Sequence, residues 1–93
     1  MPLTITYTGQ LANAAGLQEE ALDIAPGETL RAVVDVLAAR HGAAFSTLLR
    51  DDAGNLRSTV LVVLDGAQAT GDKDALPLDN VHDLMLMTPI AGG

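Results

Sequence analysis

Between Thr29 and Gly42, the apolar residues Leu30, Val33, Val34 and Leu37 recur at i, i+3, i+4 and i+7, a single helical stripe. No other stretch of the 93-residue sequence carries so clear a helical period. A lone amphipathic helix must bury its stripe against something, and the remaining apolar segments are short and strand-like. One helix on one sheet is therefore the arrangement the chain has open to it, a two-layer α+β domain. Thr29 is placed to cap the helix start, and Gly42 to close its end, so the spacing predicts a helix over Thr29–His41. Phe45, Leu48 and Leu49 predict a further short helical turn.

The strands follow from alternation. Leu3, Ile5 and Tyr7 alternate with Thr4, Thr6 and Thr8, and Leu22 and Ile24 share one face of Glu20–Ile24. The intervening Gly9–Gly16 reads as a loop, giving an antiparallel pair with a wide connection. Thr59–Leu64 is apolar on both faces and β-branched, which predicts a central strand ending in the Asp65-Gly66 turn. Gln68-Ala69 reads as a short edge strand, and 72–83 as an irregular segment with Leu76 and Leu78 turned to the core. Leu84–Met87 is the last strand, with Pro89 blocking further pairing. The predicted interface is Leu3, Ile5, Tyr7, Leu22, Ile24, Leu30, Val33, Val34 and Leu37. A β-grasp fits this order, as one domain over 1–93 with a mixed sheet packed on one main helix, adjacent first and last strands, and a flexible tail at 88–93.

Composition removes several kinds of function. There is no Cys, which excludes disulfides, thiolate metal sites and thiol catalysis. The net charge of -7 includes four Arg and a single lysine, Lys73. That balance repels nucleic acid and favours encounter with basic protein surfaces. Neither a signal peptide nor a membrane-spanning run is legible, so a cytoplasmic location is expected.

Side-chain chemistry is sparse as well. His41 falls at the helix C-terminus, where a cation is favoured and a structural role is expected. His82 stands beside Asp83 in a polar loop. No metal site is predicted, because one His with one or two acids supplies too few ligands. Ser46 and Ser58 lack the setting of a nucleophile, so no independent active site is expected.

The C-terminal segment is different. Gly92-Gly93 follows an apolar strand and offers side-chain-free backbone that can enter a narrow tunnel, with one terminal carboxylate. Met85 and Met87 share one face of the last strand, opposite Leu84 and Leu86, so one pair must point away from the helix. Flexible Met side chains there suit an adaptable partner surface.

Leu84-Met85-Leu86-Met87-Thr88-Pro89-Ile90-Ala91-Gly92-Gly93 resembles the last strand and tail of the ubiquitin-like sulfur carriers, the MoaD/ThiS family. Thr88 stands where a second proline is common, and Met85, Leu86 and Met87 where aromatics are often found. The resemblance implies a carrier rather than an enzyme. An E1-like adenylyltransferase of the MoeB/ThiF kind would use ATP to adenylate Gly93, and a sulfur donor would then displace AMP to leave a thiocarboxylate. No cofactor would be bound by the chain itself. Met85, Met87, Pro89, Ile90 and Ala91 would contact partners, with Gly92 and Gly93 at the reacting end. The implied acceptor is an enzyme such as a molybdopterin synthase large subunit, and the segment Ala43–Arg57 resembles molybdopterin- and cysteine-pathway carriers more than the shorter thiamine ones. Two alternatives also fit: a modifier joined through Gly93 to lysines, or a non-covalent β-grasp interaction module.

Overall fold

A computed structural model of the chain describes residues 1–88. Its elements run β1 (Pro2–Tyr7), α1 (Gly9–Ala15), β2 (Glu19–Asp23), α2 (Leu30–His41), α3 (Ala43–Leu49), β3 (Leu61–Leu64), β4 (Ala67–Gln68) and β5 (Asp83–Met87). The strands form one sheet in the order β2-β1-β5-β3-β4. β1 and β5 lie parallel at its centre, with Ile5 opposite Leu84 and Tyr7 opposite Leu86, and the other pairings are antiparallel. This is the β-grasp arrangement, a mixed sheet closed around α2.

The core lies between one sheet face and the helices. Leu3, Ile5 and Tyr7 of β1, Val62 of β3, and Leu84 and Leu86 of β5 meet Leu30, Val33, Val34 and Leu37 of α2 and Phe45 and Leu49 of α3. All are buried, and no polar or charged residue is buried among them. The start of α2 shows how its orphan donors are met. The Thr29 side chain accepts from the Ala32 amide, while Leu30 and Arg31 amides donate to the carbonyls of Leu76 and Asp74. The irregular 69–82 segment thus seals the helix N-terminus, and Leu78, as expected, is fully buried.

Three expectations are corrected. Gly9–Gly16 is a helix and its C-cap rather than a loop. Leu11 anchors it in the core, Ala12, Ala14 and Ala15 favour it, and Gly16 closes it at φ 78 with its amide on the Ala12 carbonyl. A single large apolar residue leaves no stripe to read, so the period was silent there. The segment Thr59–Leu64 forms a strand only from Leu61 and lies second from the edge, with β5 at the centre. Its outward residue Leu61 is 42% exposed, so doubled apolar faces did not mean burial on both. Leu22 is half-buried rather than core, because β2 is an edge strand.

The β3–β4 hairpin turns through Asp65 and Gly66, with φ of 48 and 85, the paired positive values of a tight two-residue hairpin turn. The Asp65 carboxylate also accepts from the His82 and Asp83 amides at 3.0 and 2.8 Å, locking the start of β5 to this turn. The last strand is therefore fixed at its beginning by the Asp65 turn and along its length by β1 and β3.

Leu86→Ala should cost about 2–5 kcal/mol in urea denaturation, since it opens a cavity at the sheet centre. Met87→Ala, on the other face, should cost no more than about 1 kcal/mol.

Candidate functional site

β5 divides its side chains between the two faces of the sheet. Leu84 and Leu86 are buried toward the helices, whereas Met85 and Met87 are half-buried on the open face. Register sets their neighbours: Val63 stands beside Met85 on one side and Thr6 on the other, and Leu61 stands beside Met87. Leu61, Val63, Met85 and Met87 thus make a continuous apolar strip pointing away from the core. Beyond β1 the same face turns acidic, with Glu19 and Asp23 exposed on β2. The strip runs along β5 toward Thr88, the last described residue.

Leu61 also borders a shallow groove of about 350 Å³. Gln68, Thr70, Asp72 and Lys73 line it further. Lys73 is half-buried, and its ammonium donates to the Val60 carbonyl at 2.6 Å.

At the other end of the sheet, a polar cluster gathers on Glu20 of β2. One carboxylate oxygen accepts from the Tyr7 hydroxyl at 2.6 Å and meets His41 Nε2, while the other pairs with Arg40 at 2.6 Å. The Glu20 and His41 side chains are only 9% and 7% exposed. Burial opposes the charge on Glu20, but the hydrogen bonds from Tyr7, His41 and Arg40 outweigh it, and its carboxyl is held below the usual range. Burial first, and the Glu20 contact second, push the Tyr7 phenol well above its ordinary value. Tyr7, His41 and Phe45 pack edge-on or tilted, with ring centroids 4.9–6.0 Å apart. The cluster joins the edge strand to α2, and none of its residues lines the groove beside Leu61, which fits a structural role. Glu20 was not singled out from the sequence. Its parity with Leu22 and Ile24 was the available signal, because it places a carboxylate on an inward-facing position.

His41 sits at the helix end as expected, but its partner is Glu20. His82 is exposed and only its amide is engaged. Among the described residues, no group of three or more His, Asp or Glu side chains is gathered to hold a metal ion. None of the helices among them is long and apolar enough to cross a membrane. Pro89, Ile90, Ala91, Gly92 and Gly93, expected at the reacting end, lie outside the described residues.

The model of the ThiS family matches residues 5–93, nearly the whole chain and the terminal glycines with it. The chain belongs to the ThiS family. No curated protein matches its sequence at a significant level. Among solved structures, SAMP1 from Haloferax volcanii is 22% identical with a TM-score of 0.84, each chain covered in full. Urm1 from Trypanosoma brucei is 22% identical with a TM-score of 0.75, covering 99% of this chain and 95% of that one. A putative molybdopterin converting factor subunit 1 from Pyrococcus furiosus is 14% identical with a TM-score of 0.68, covering 97% and 99%. At such identities these likenesses show a shared fold, and membership of the ThiS family supports a carrier or modifier role for it.

In this ThiS-family body, Glu20→Ala should remove about 2–3 kcal/mol, because it strips the acceptor from Tyr7 and His41 while Arg40 can turn to solvent. A carboxyl held low when folded stabilises above its unfolded value, about pH 4.5, and that contribution fades as pH falls through the folded value. Denaturation midpoints measured from about pH 7 down to 3 should therefore fall more steeply for the natural chain than for Glu20→Gln.

Proposed function

We propose that this chain is a sulfur carrier whose Gly93 is the reacting residue. The observation that carries this reading is the ThiS-family match running through Gly92-Gly93. A carboxylate is a poor electrophile, being anionic and without a competent leaving group. An E1-like activating enzyme would join Gly93 to AMP, releasing pyrophosphate from ATP. A sulfur donor would then attack the acyl carbon, AMP would leave, and a thiocarboxylate would remain. Because the chain has no thiol, the sulfur would be held at the terminus alone.

The body would be the handle. The strip of Leu61, Val63, Met85 and Met87 is the surface we assign to partner docking, because it is apolar and lies on the strand that leads into the tail. The six residues 88–93 span about 20 Å when extended, enough to deliver the terminus into a buried site. A molybdopterin synthase large subunit is our first choice of acceptor, with enzymes of cysteine or thiamine biosynthesis behind it. The setting would be the cytoplasm. The chain is a co-substrate in this scheme, and its partners supply the catalytic groups.

Likeness in fold to SAMP1, titled an archaeal modifier in a second structure, favours one other reading. There an amine takes the place of the sulfur donor, and Gly93 ends in an isopeptide bond.

Incubation with ATP, the activating enzyme and a sulfur donor should make the chain about 16 Da heavier, oxygen being replaced by sulfur. Deleting Gly92-Gly93 should abolish that gain. No gain with any activating enzyme of the source, together with diglycine remnants on cellular lysines, would overturn sulfur carriage in favour of conjugation. Met87→Asp should leave the fold intact and reduce the activation rate at least about tenfold, because it places a charge in the apolar strip.

A further inference from the structure

Two kinds of side chain capture an activated acyl group most readily: thiols, as exchangeable thioesters, and amines, as stable amides. Thiols are absent from this sequence and lysine occurs once, as Lys73. The chain's other amine, the Met1 α-ammonium, donates to the Asp23 carboxylate at 2.7 Å and to the Ile24 carbonyl at 2.9 Å, at the end of β1 away from Met87. The Lys73 ammonium donates to the Val60 carbonyl at 2.6 Å, from a half-buried position on the wall of the groove beside Leu61. The backbone at and just after it is pinned. The Lys73 carbonyl accepts from the Leu76 amide, and the Asp74 carbonyl accepts from Arg31 at the start of α2. The Asp74 carboxylate accepts from the Leu56 amide. The backbone at Lys73 and Asp74 therefore cannot move outward without loosening the start of α2. To attack an acyl carbon, the amine must give up both a proton and its bond to Val60.

Reach makes this restraint matter. Leu61 pairs with Met87 in register, so the strand that leads into the tail ends beside the groove that holds Lys73. Five residues, 89–93, would span at most about 16 Å if fully extended, and a nucleophile tethered so closely experiences a high effective concentration of acyl group.

We propose that Lys73 is withheld in its groove, so the activated terminus passes to partners in preference to this lysine. The inference rests on Gly93 as acyl donor. It implies that conjugates, where formed, are not extended into chains of copies through Lys73.

The test uses the full chain bearing a Gly93 thioester made by intein cleavage with a small thiol, held at about pH 8. A parallel sample with hydrazine verifies that the thioester is live. No product joined at Lys73 should form, and the free acid should appear at the same rate in Lys73→Arg. A species about 18 Da lighter than the acid, or a covalent dimer, mapped to an isopeptide bond at Lys73 and absent from Lys73→Arg, would overturn the proposal. Acetylation of Lys73 by an N-hydroxysuccinimide ester should also run about fivefold slower in the folded than in the urea-unfolded chain, one hydrogen bond having first to break. Equal rates would overturn it as well. No activating enzyme takes part, so failure of the carrier reading would show in the mass gain of Gly93, and failure of this one at Lys73.

Discussion

The parallel pairing of β1 with β5 is the constraint on which the rest of the structure depends. Parallel neighbours cannot be joined by a tight turn, so the chain must leave the sheet and return between them. Here the intervening sequence supplies α2 to cover one face and β3 and β4 to extend the other side. The pairing also places the last strand at the centre of the sheet. The segment that leads into the tail is therefore the best supported strand, held by β1, by β3 and by the Asp65 carboxylate at its start. A terminus that reacts as proposed would have a rigid base in such a strand.

The same strand divides its side chains between two faces. Alternation sends Leu84 and Leu86 into the core and Met85 and Met87 to the open face. Substitutions on the inner face act on folding, which leaves the outer face free for the docking role proposed for it. Charge is arranged in a corresponding way. The acidic residues of β2 flank the apolar strip, whereas the polar cluster on Glu20 serves to fasten that edge strand to α2. Three hydrogen bonds to one carboxylate offset its burial, which explains how so small a domain tolerates the charge.

Much of this was legible in the sequence because it is periodic. The stripe of α2, its Thr29 and Gly42 caps, the alternation of β1 and β5 and the Asp65-Gly66 turn all express local rules that tertiary packing did not override. The helix α1 was not legible, because Leu11 is its one large apolar residue and the three alanines that pack beside it on the core mark no stripe. The position of β3 was misjudged for a related reason: an exposed Leu61 looks in sequence like a buried one. Glu20 and Lys73 belong to another category. Their partners, His41, Arg40, Tyr7 and Val60, lie 13–21 residues away, and only the folded topology brings them together. The opposed pairs of β5 were foreseen as a choice between two faces, and packing against α2 settled which pair is inward.

The most direct measurement is the mass of the protein's C-terminal peptide, isolated from its own cells grown with abundant sulfur and kept free of oxidants. The account predicts a population with sulfur in place of one terminal oxygen on Gly93, lost when the activating enzyme is deleted. A terminus that is always a free carboxylate, with the activating enzyme present and active, would contradict it.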